Sequence, residues 1–185
     1  NQARLDWSAY TPPAPRKPGI TVFADYPLDK IARYIDWTPF FITWELHGHY
    51  PAILTDPVVG AQASELFGDA KAILERVVAE RWLKAKAVVG FWPATRVGDD
   101  IEIQHQGEAI RLHHLRQQAD KPLERPNLCL ADFIAPRESG VTDWIGGFAV
   151  TAGLGIEPHL ERFRQDNDDY SAIILKALAD RLAEA

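Results

Sequence analysis

The sequence predicts an α+β fold in a single domain, with an antiparallel twisted sheet and long flanking helices. One observation behind this prediction is a long series of apolar residues at helical spacing between residues 57 and 83. Another is a pair of apolar segments, residues 88–92 and 101–105, which flank a turn-forming Gly98. The chain has 185 residues, of which 46% are hydrophobic, and this suits one domain with a buried core.

The elements before the long helix are predicted from proline and turn chemistry. Residues 1–19 contain four prolines and favour an extended, Pro-rich interdomain linker. Residues 20–23 predict a short edge strand, and residues 28–35 predict a short helix. Asp56 followed by Pro57 is typical of a helix start, so the long helix is expected to cover residues 57–83.

The second half of the chain predicts three more strands and a final helix. The two apolar segments named above form an antiparallel hairpin, connected by a longer loop over residues 93–100. Residues 110–115 and 144–151 predict a third and a fourth strand. The final helix is predicted to carry the following residues on one side: Tyr170, Ile173, Ile174, Ala177, Leu178, Arg181 and Leu182.

Charge and composition argue against several classes of partner. A formal net charge of −6, with no basic stripe, argues against nucleic-acid binding. The chain has no apolar run of membrane-spanning length and no signal-peptide pattern, so no membrane partner is expected. The single Cys129 rules out an internal disulfide framework and indicates the reducing cytoplasm.

Asp36 is the first candidate site residue, because it lies within an apolar, aromatic stretch. An unpaired charge in such surroundings is costly, so a partner is required: a backbone N–H, an internal Arg or Lys, or a cationic ligand. We expect Asp36 to be partly buried, on the concave side of the domain near the last helix. The alternative is a capping role in the turn before Thr38 and Pro39.

Asp180 and Glu184 are the next candidates. They lie four residues apart on the final helix and therefore project from the same face. Two like charges at this spacing repel each other unless water or a cation intervenes, and Lys176, one turn earlier, could supply the cation. The alternative is a solvated, charged helix face.

Eight ordered segments of the chain resemble a known family. They are YIDWTPFFITWEL at 34–46, HGHYP at 47–51, VVGFWPA at 88–94, RVGDDIEI at 96–103, HHLRQQ at 113–118, CLADF at 129–133, FAVT at 148–151 and KALADRLAEA at 176–185. This series resembles the C-terminal activation domain of cobalamin-dependent methionine synthase. The similar segments extend from about residue 7 to the last residue.

The resemblance implies a function and a set of cofactors. It implies an activation module within a multidomain methyltransferase, which presents S-adenosylmethionine (AdoMet) for the reductive remethylation of cob(II)alamin. The cobalamin would be held by a neighbouring cobalamin-binding domain, and a flavodoxin-type reductant would supply an electron. The isolated chain is not expected to catalyse a reaction alone.

The resemblance also implies roles for individual residues. It assigns AdoMet binding to Asp36 and Glu184, and it associates Asp180 with holding the cobalamin ligand histidine of the neighbouring domain. The family's Arg-x-x-x-Gly-Tyr motif, which binds the carboxylate of AdoMet, is absent from these 185 residues. Residues 20–185 are therefore expected to be the N-terminal portion of a truncated activation domain. The alternative function is a docking module for the cobalamin domain and the reductant that does not bind AdoMet by itself.

Two further site hypotheses concern the reductant and zinc. The segment from residue 111 to 125 has four cations and two acids, a net charge of +2, and could dock an acidic reductant. The cations are Arg111, Arg116, Lys121 and Arg125. The alternative is a solvated loop that pairs with its own acids. Zinc is not expected, because neither His47 with His49 nor His113 with His114 has a third ligand at metal spacing.

Overall fold

A five-stranded sheet is the framework of the fold in this computed structural model, which describes residues 3, 5–122 and 124–185. The strands are β1 (Gly19–Tyr26), β2 (Lys84–Val97), β3 (Asp100–His105), β4 (Glu108–Leu112) and β5 (Asp143–Leu154). Their order is β1-β2-β3-β4, and β5 also pairs with β2. The predicted α+β fold with an antiparallel sheet is confirmed.

The described residues form five α-helices and four short 3-10 helices. The α-helices are α1 (Leu28–Ile31), α2 (Thr38–Thr43), α3 (Gly60–Ala79), α4 (Glu157–Gln165) and α5 (Asp169–Glu184). The 3-10 helices are Ala32–Tyr34, Ala52–Thr55, Leu130–Phe133 and Arg137–Ser139. The predicted short helix and the predicted long helices are therefore present, but α4 was not predicted.

The hairpin between β2 and β3 is tighter than the sequence suggested. Val97 pairs with Asp100, so the connection is the two-residue turn Gly98-Asp99, with Gly98 at φ +66°. The expected longer loop over residues 93–100 is wrong. Strand β2 continues through this segment, where Ala94 pairs with Ile103 of β3. Both side chains are buried in one hydrophobic cluster, which stabilises the pairing.

The long helix α3 is shorter at both ends than predicted. Asp56 Oδ1 accepts hydrogen bonds from the backbone N–H groups of Val58 and Val59, as a helix-start residue would. Residues 57–59 nevertheless form a turn, and the helix begins at Gly60. At the other end the chain reverses at Arg81, which has φ +55°. Trp82 is therefore buried in the core from outside the helix.

The missed helix α4 is short and mostly polar, which hides its helical pattern. Its sequence, EPHLERFRQ, has only two apolar side chains after the proline, and of these Phe163 is buried. A proline in the first turn is typical of a helix start and was the available signal. Length and polarity together explain why hydrophobic periodicity did not find this helix.

The contacts divide the chain into two compact units. Unit 1 comprises Asn1–Thr21 and Val89–Phe148, and unit 2 comprises Val22–Val88 and Ala149–Ala185. The core of unit 1 contains Ala94, Ile101, Ile103, Cys129, Ala131 and Ile134. Unit 2 has two larger clusters, to which α3 and α5 contribute. Residues 5–18, in the predicted linker, contain no helix or strand.

Candidate functional site

The last helix, α5, positions two of the predicted site residues. Asp168 caps its start by accepting a hydrogen bond from the Ser171 backbone N–H, at 2.9 Å. The inward side of α5 is anchored in the core of unit 2, where Leu178 and Leu182 are almost completely buried. Because this side is held in the core, Asp180 and Glu184 lie on the surface, with side chains 68% and 63% exposed.

Arg181 joins these two acids. Its Nη2 donates to Asp180 Oδ2 at 2.6 Å and to Glu184 Oε1 at 2.8 Å, while Nη1 donates to Glu184 Oε2 at 2.8 Å. The cation that relieves their repulsion is therefore Arg181, whereas Lys176, the cation suggested from sequence, is exposed. The sequence spacing put Arg181 on the same helix side as several apolar residues. Its side chain is only 10% exposed, whereas Tyr170 and Ile173 on that side are exposed.

The charge balance of this cluster favours cationic ligands. One guanidinium faces two carboxylates, so the cluster carries a net negative charge and keeps oxygen atoms open to solvent. Burial lowers the pKa of Arg181, but the hydrogen bonds and charges of Asp180 and Glu184 outweigh it and raise the pKa above its ordinary value. Exposed carboxylate oxygens are strong acceptors for ammonium or other cationic groups.

An apolar cleft of about 290 Å³ lies at the end of the same helix. Leu182, Ala183 and Ala185 line it from the helix side. The strands of unit 2 contribute Phe23, Tyr26, Val150 and Ala152, among others. Asp180 and Glu184 do not line this cleft, so the apolar cleft and the charged cluster are separate features of the end of α5.

Asp36 lies in the same unit but is exposed, so the expectation that it is partly buried is wrong. Its Oδ1 accepts a hydrogen bond from the Thr38 backbone N–H at 2.9 Å. The aromatic residues after it explain the difference, because Phe40 and Phe41 are fully buried while Asp36 stays at the surface before α2. The hydrogen-bond partner of Asp36 in the structure is thus a backbone N–H group, one of the three types of partner considered from sequence.

The basic segment of unit 1 contains a buried ion-pair network, which we call the Arg116 network. Arg116 Nη1 and Nη2 donate to Asp132 Oδ2 and Oδ1 at 2.6 and 2.7 Å, and Nη2 also donates to Asp99 Oδ1 at 2.6 Å. Arg96 lies 3.5 Å from Asp132, whose side chain is fully buried. The hydrogen bonds and charges of Asp132 and Asp99 outweigh burial and raise the pKa of Arg116.

These contacts change the reductant hypothesis. The Arg116 side chain is only 13% exposed, so it holds the fold of unit 1 together instead of presenting a surface charge. Arg111 is paired with Glu102 at 3.5 Å, and Lys121 Nζ donates to Gln117. Arg125 is exposed. The docking hypothesis therefore remains for Arg111, Lys121 and Arg125, and Arg116 is removed from it.

Sequence reasoning missed two residues that organise these clusters. Asp132 stands between apolar neighbours in CLADF, which signals a buried charge, but its partner Arg116 is 16 residues earlier in the chain. The sequence analysis named Arg181 only as one of the residues on one side of α5. The available signal for its role was a cation among apolar residues, with Asp180 one residue before it and Glu184 three residues after it.

The residues that the structure describes, 3, 5–122 and 124–185, show neither a cluster of metal ligands nor a membrane-spanning helix. Within these residues, no three or more His, Cys, Asp or Glu side chains are grouped to hold a metal ion. Of the histidines considered from sequence, His113 Nδ1 lies 3.0 Å from Asp100 Oδ2, and His114 Nδ1 lies 2.9 Å from the Leu112 carbonyl oxygen. No helix in this part of the chain has the length and hydropathy needed to cross a membrane.

Comparison with known families identifies the chain. A sequence model described as the activation domain of vitamin B12-dependent methionine synthase matches residues 27–185. The chain belongs to this activation-domain family. The resemblance found in the sequence segments is therefore confirmed over residues 27–185.

This activation domain is also similar to a solved structure, a crystal structure of the MetH reactivation domain bound to AdoHcy. The two share 49% sequence identity with a TM-score of 0.91. The match covers 100% of the present chain and 57% of the other chain, so the 185 residues span a little more than half the length of that relative.

Proposed function

We propose that this activation domain presents AdoMet to a cobalamin held by a neighbouring domain of methionine synthase, for the reductive remethylation of cob(II)alamin. The observation that carries the proposal is the similarity, over the whole chain, to a reactivation domain bound to AdoHcy. AdoHcy is AdoMet without the transferred methyl group, so the two molecules share their adenosine and amino-acid parts.

The chemistry of the residues at the end of α5 supports this ligand. AdoMet has two cationic groups, a sulfonium and an ammonium, and a carboxylate can satisfy either by a charge-assisted contact. Glu184 is exposed and negatively charged, and Arg181 holds it in place. We propose that Glu184 and Asp36 bind these cationic groups. AdoMet supplies the methyl group, and the protein binds and orients it.

Asp180 gives the domain a second proposed contact. In this proposal its exposed carboxylate holds the histidine of the cobalamin-binding domain after that histidine has left cobalt. A flavodoxin-type reductant supplies the electron, and the reaction takes place in the cytoplasm. The activation domain contributes placement within a multidomain methyltransferase and does not catalyse methyl transfer alone.

A second function is favoured by one observation. The Arg-x-x-x-Gly-Tyr motif, which the family resemblance links to the ligand's carboxylate, does not occur in these 185 residues. The alternative is therefore a docking module that contacts the cobalamin domain and the reductant without binding AdoMet by itself. The two functions differ in one measurable property, the affinity of the 185-residue chain for AdoMet.

Isothermal titration calorimetry separates the two functions. The 185-residue chain and the complete protein encoded by its gene are each titrated with AdoMet and with AdoHcy. Binding by the 185-residue chain supports AdoMet presentation by these residues alone. Binding by the complete protein only would support the docking module. If neither protein bound either ligand, the proposed function would be wrong.

Substitution of Asp36 tests the proposed contact directly. Asp36→Asn keeps an oxygen that can accept the Thr38 hydrogen bond but removes the negative charge. We expect AdoMet affinity to fall by about ten- to a hundredfold, the range of charge-assisted contacts. Asp56→Asn is the matched control, because Asp56 is also exposed and also accepts a hydrogen bond from the backbone two residues later. Equal effects of the two variants would leave Asp36 with only its capping role.

A further inference from the structure

Arg181 combines burial with two exposed partners, which is unusual for a surface ion pair. Its side chain is 10% exposed, whereas those of Asp180 and Glu184 are 68% and 63% exposed. Exposed ion pairs are commonly mobile and weak, because water competes for both charges. Here the cation is held in place beneath the surface, and only the two anions reach solvent.

The contact with Glu184 has the geometry that fixes a carboxylate most firmly. Arg181 uses two nitrogen atoms on the two oxygen atoms of Glu184, both at 2.8 Å. Such a bidentate contact restricts rotation of the glutamate carboxylate as well as its position. A glutamate held in this way has less conformational freedom to lose when it binds a ligand.

We propose that Arg181 is a positioning residue for AdoMet, which holds Glu184 ready for the ligand and couples it to Asp180. This inference rests on the proposed function, in which Glu184 contacts a cationic group of AdoMet. The oxygens of Glu184 remain open to solvent while its carbon chain is fixed, as a preorganised contact requires.

The coupling arises because one nitrogen atom serves both acids. Arg181 Nη2 donates to Asp180 Oδ2 and also to Glu184 Oε1. When the charge of Asp180 is removed, the guanidinium charge is balanced by Glu184 alone. The cluster then carries no net negative charge, and Glu184 attracts a cation less strongly. A change at Asp180 therefore reaches the AdoMet contact without touching the ligand.

The test is a double-mutant cycle in the complete protein encoded by the gene, with AdoMet affinity measured by calorimetry. Arg181→Lys keeps the positive charge but loses the bidentate contact with Glu184. We expect about tenfold weaker binding from this change, the lower end of the range for charge-assisted contacts. In a Glu184→Gln background the same change should have no further effect, because no carboxylate remains to be positioned.

The cycle distinguishes positioning from a general effect on stability. If Arg181→Lys only loosened α5, it would weaken binding equally with and without the Glu184 carboxylate, and the inference would be overturned. Lys176→Gln is the matched control, because it removes an exposed cation from the preceding turn of the same helix. We expect it to change AdoMet affinity by less than about twofold.

A second variant avoids any dependence on the folding of Arg181→Lys. Asp180 is exposed, so Asp180→Asn should fold normally. We expect it to weaken AdoMet binding by about threefold, as for neighbouring coupled residues, and to have no effect in the Glu184→Gln background. An equal effect in both backgrounds would show that Arg181 does not couple the two acids.

The same measurements separate failure of this inference from failure of the proposed function. If the unmodified protein does not bind AdoMet, or if Glu184→Gln leaves its affinity unchanged, the proposed contact of Glu184 is wrong and the role of Arg181 is wrong with it. If Glu184→Gln weakens binding but Arg181→Lys does not, only the inference about Arg181 is wrong.

Discussion

Replacement of Asp132 by asparagine should lower the melting temperature of the protein distinctly. The Asp132 carboxylate is fully buried and accepts hydrogen bonds from Arg116 at 2.6 and 2.7 Å and from the Cys129 backbone N–H at 3.0 Å. Asparagine has nearly the same shape but no charge, and its NH₂ group would face groups that are themselves donors. The guanidinium of Arg116 would then lose its buried counter-charge.

The size of the effect follows from the position of the charges. Removal of one partner from a buried ion pair costs about 3–5 kcal/mol, because the other charge stays buried without compensation. Arg116 keeps its hydrogen bond to the Asn127 carbonyl oxygen and one carboxylate, Asp99, which is 47% exposed and therefore offers a weaker, solvent-screened contact. For a chain of this size, a loss of 3–5 kcal/mol lowers the melting temperature by roughly 6–20 °C.

The assay is thermal and urea unfolding of Asp132→Asn, followed by circular dichroism and calorimetry. Asp99→Asn is the matched control, because it removes the other carboxylate from the same guanidinium at a solvent-exposed position. We expect this control to lose less than about 1 kcal/mol. If Asp132→Asn were no more destabilising than Asp99→Asn, the buried pair would not stabilise the fold, and this reasoning would be refuted.

Three further predictions concern pH, packing and docking. Burial lowers the pKa of His159 below its ordinary value of 6.5, so stability should be complete above that pH and decline as the pH falls through the lowered value. His159→Phe should therefore show a smaller drop in melting temperature between about pH 7.5 and 5.5 than the unmodified protein, and an equal drop would contradict this. Leu178→Ala should cost about 2–5 kcal/mol in urea unfolding, because the side chain is fully buried, whereas Ile173→Ala, at an exposed position on the same helix, should cost much less. Charge reversal of Arg111 and Arg125 to Glu should slow activation by a flavodoxin-type reductant by roughly tenfold at low salt, and a rate unchanged at every salt concentration would exclude this patch.

The sequence by itself determined the fold class, the main elements and the family. Apolar residues at helical spacing are a local property, and they indicated α3 and α5 because each helix buries one side in the core. The strands were predicted from another local pattern, short apolar segments next to turn residues. The spacing of Asp180 and Glu184 already placed both acids on one helix face, since helix geometry is set by the backbone.

Only the tertiary structure decided how charges are paired and which of them are buried. Sequence spacing suggested Lys176 as the cation near Asp180, but in the structure the cation is Arg181, whose side chain is largely buried. It buries Asp132 against Arg116, although the two are 16 residues apart, and it leaves Asp36 exposed within an aromatic stretch. The physical reason is that the energy of a charge depends on its solvent exposure and on neighbours in space, and both arise only when distant segments pack together.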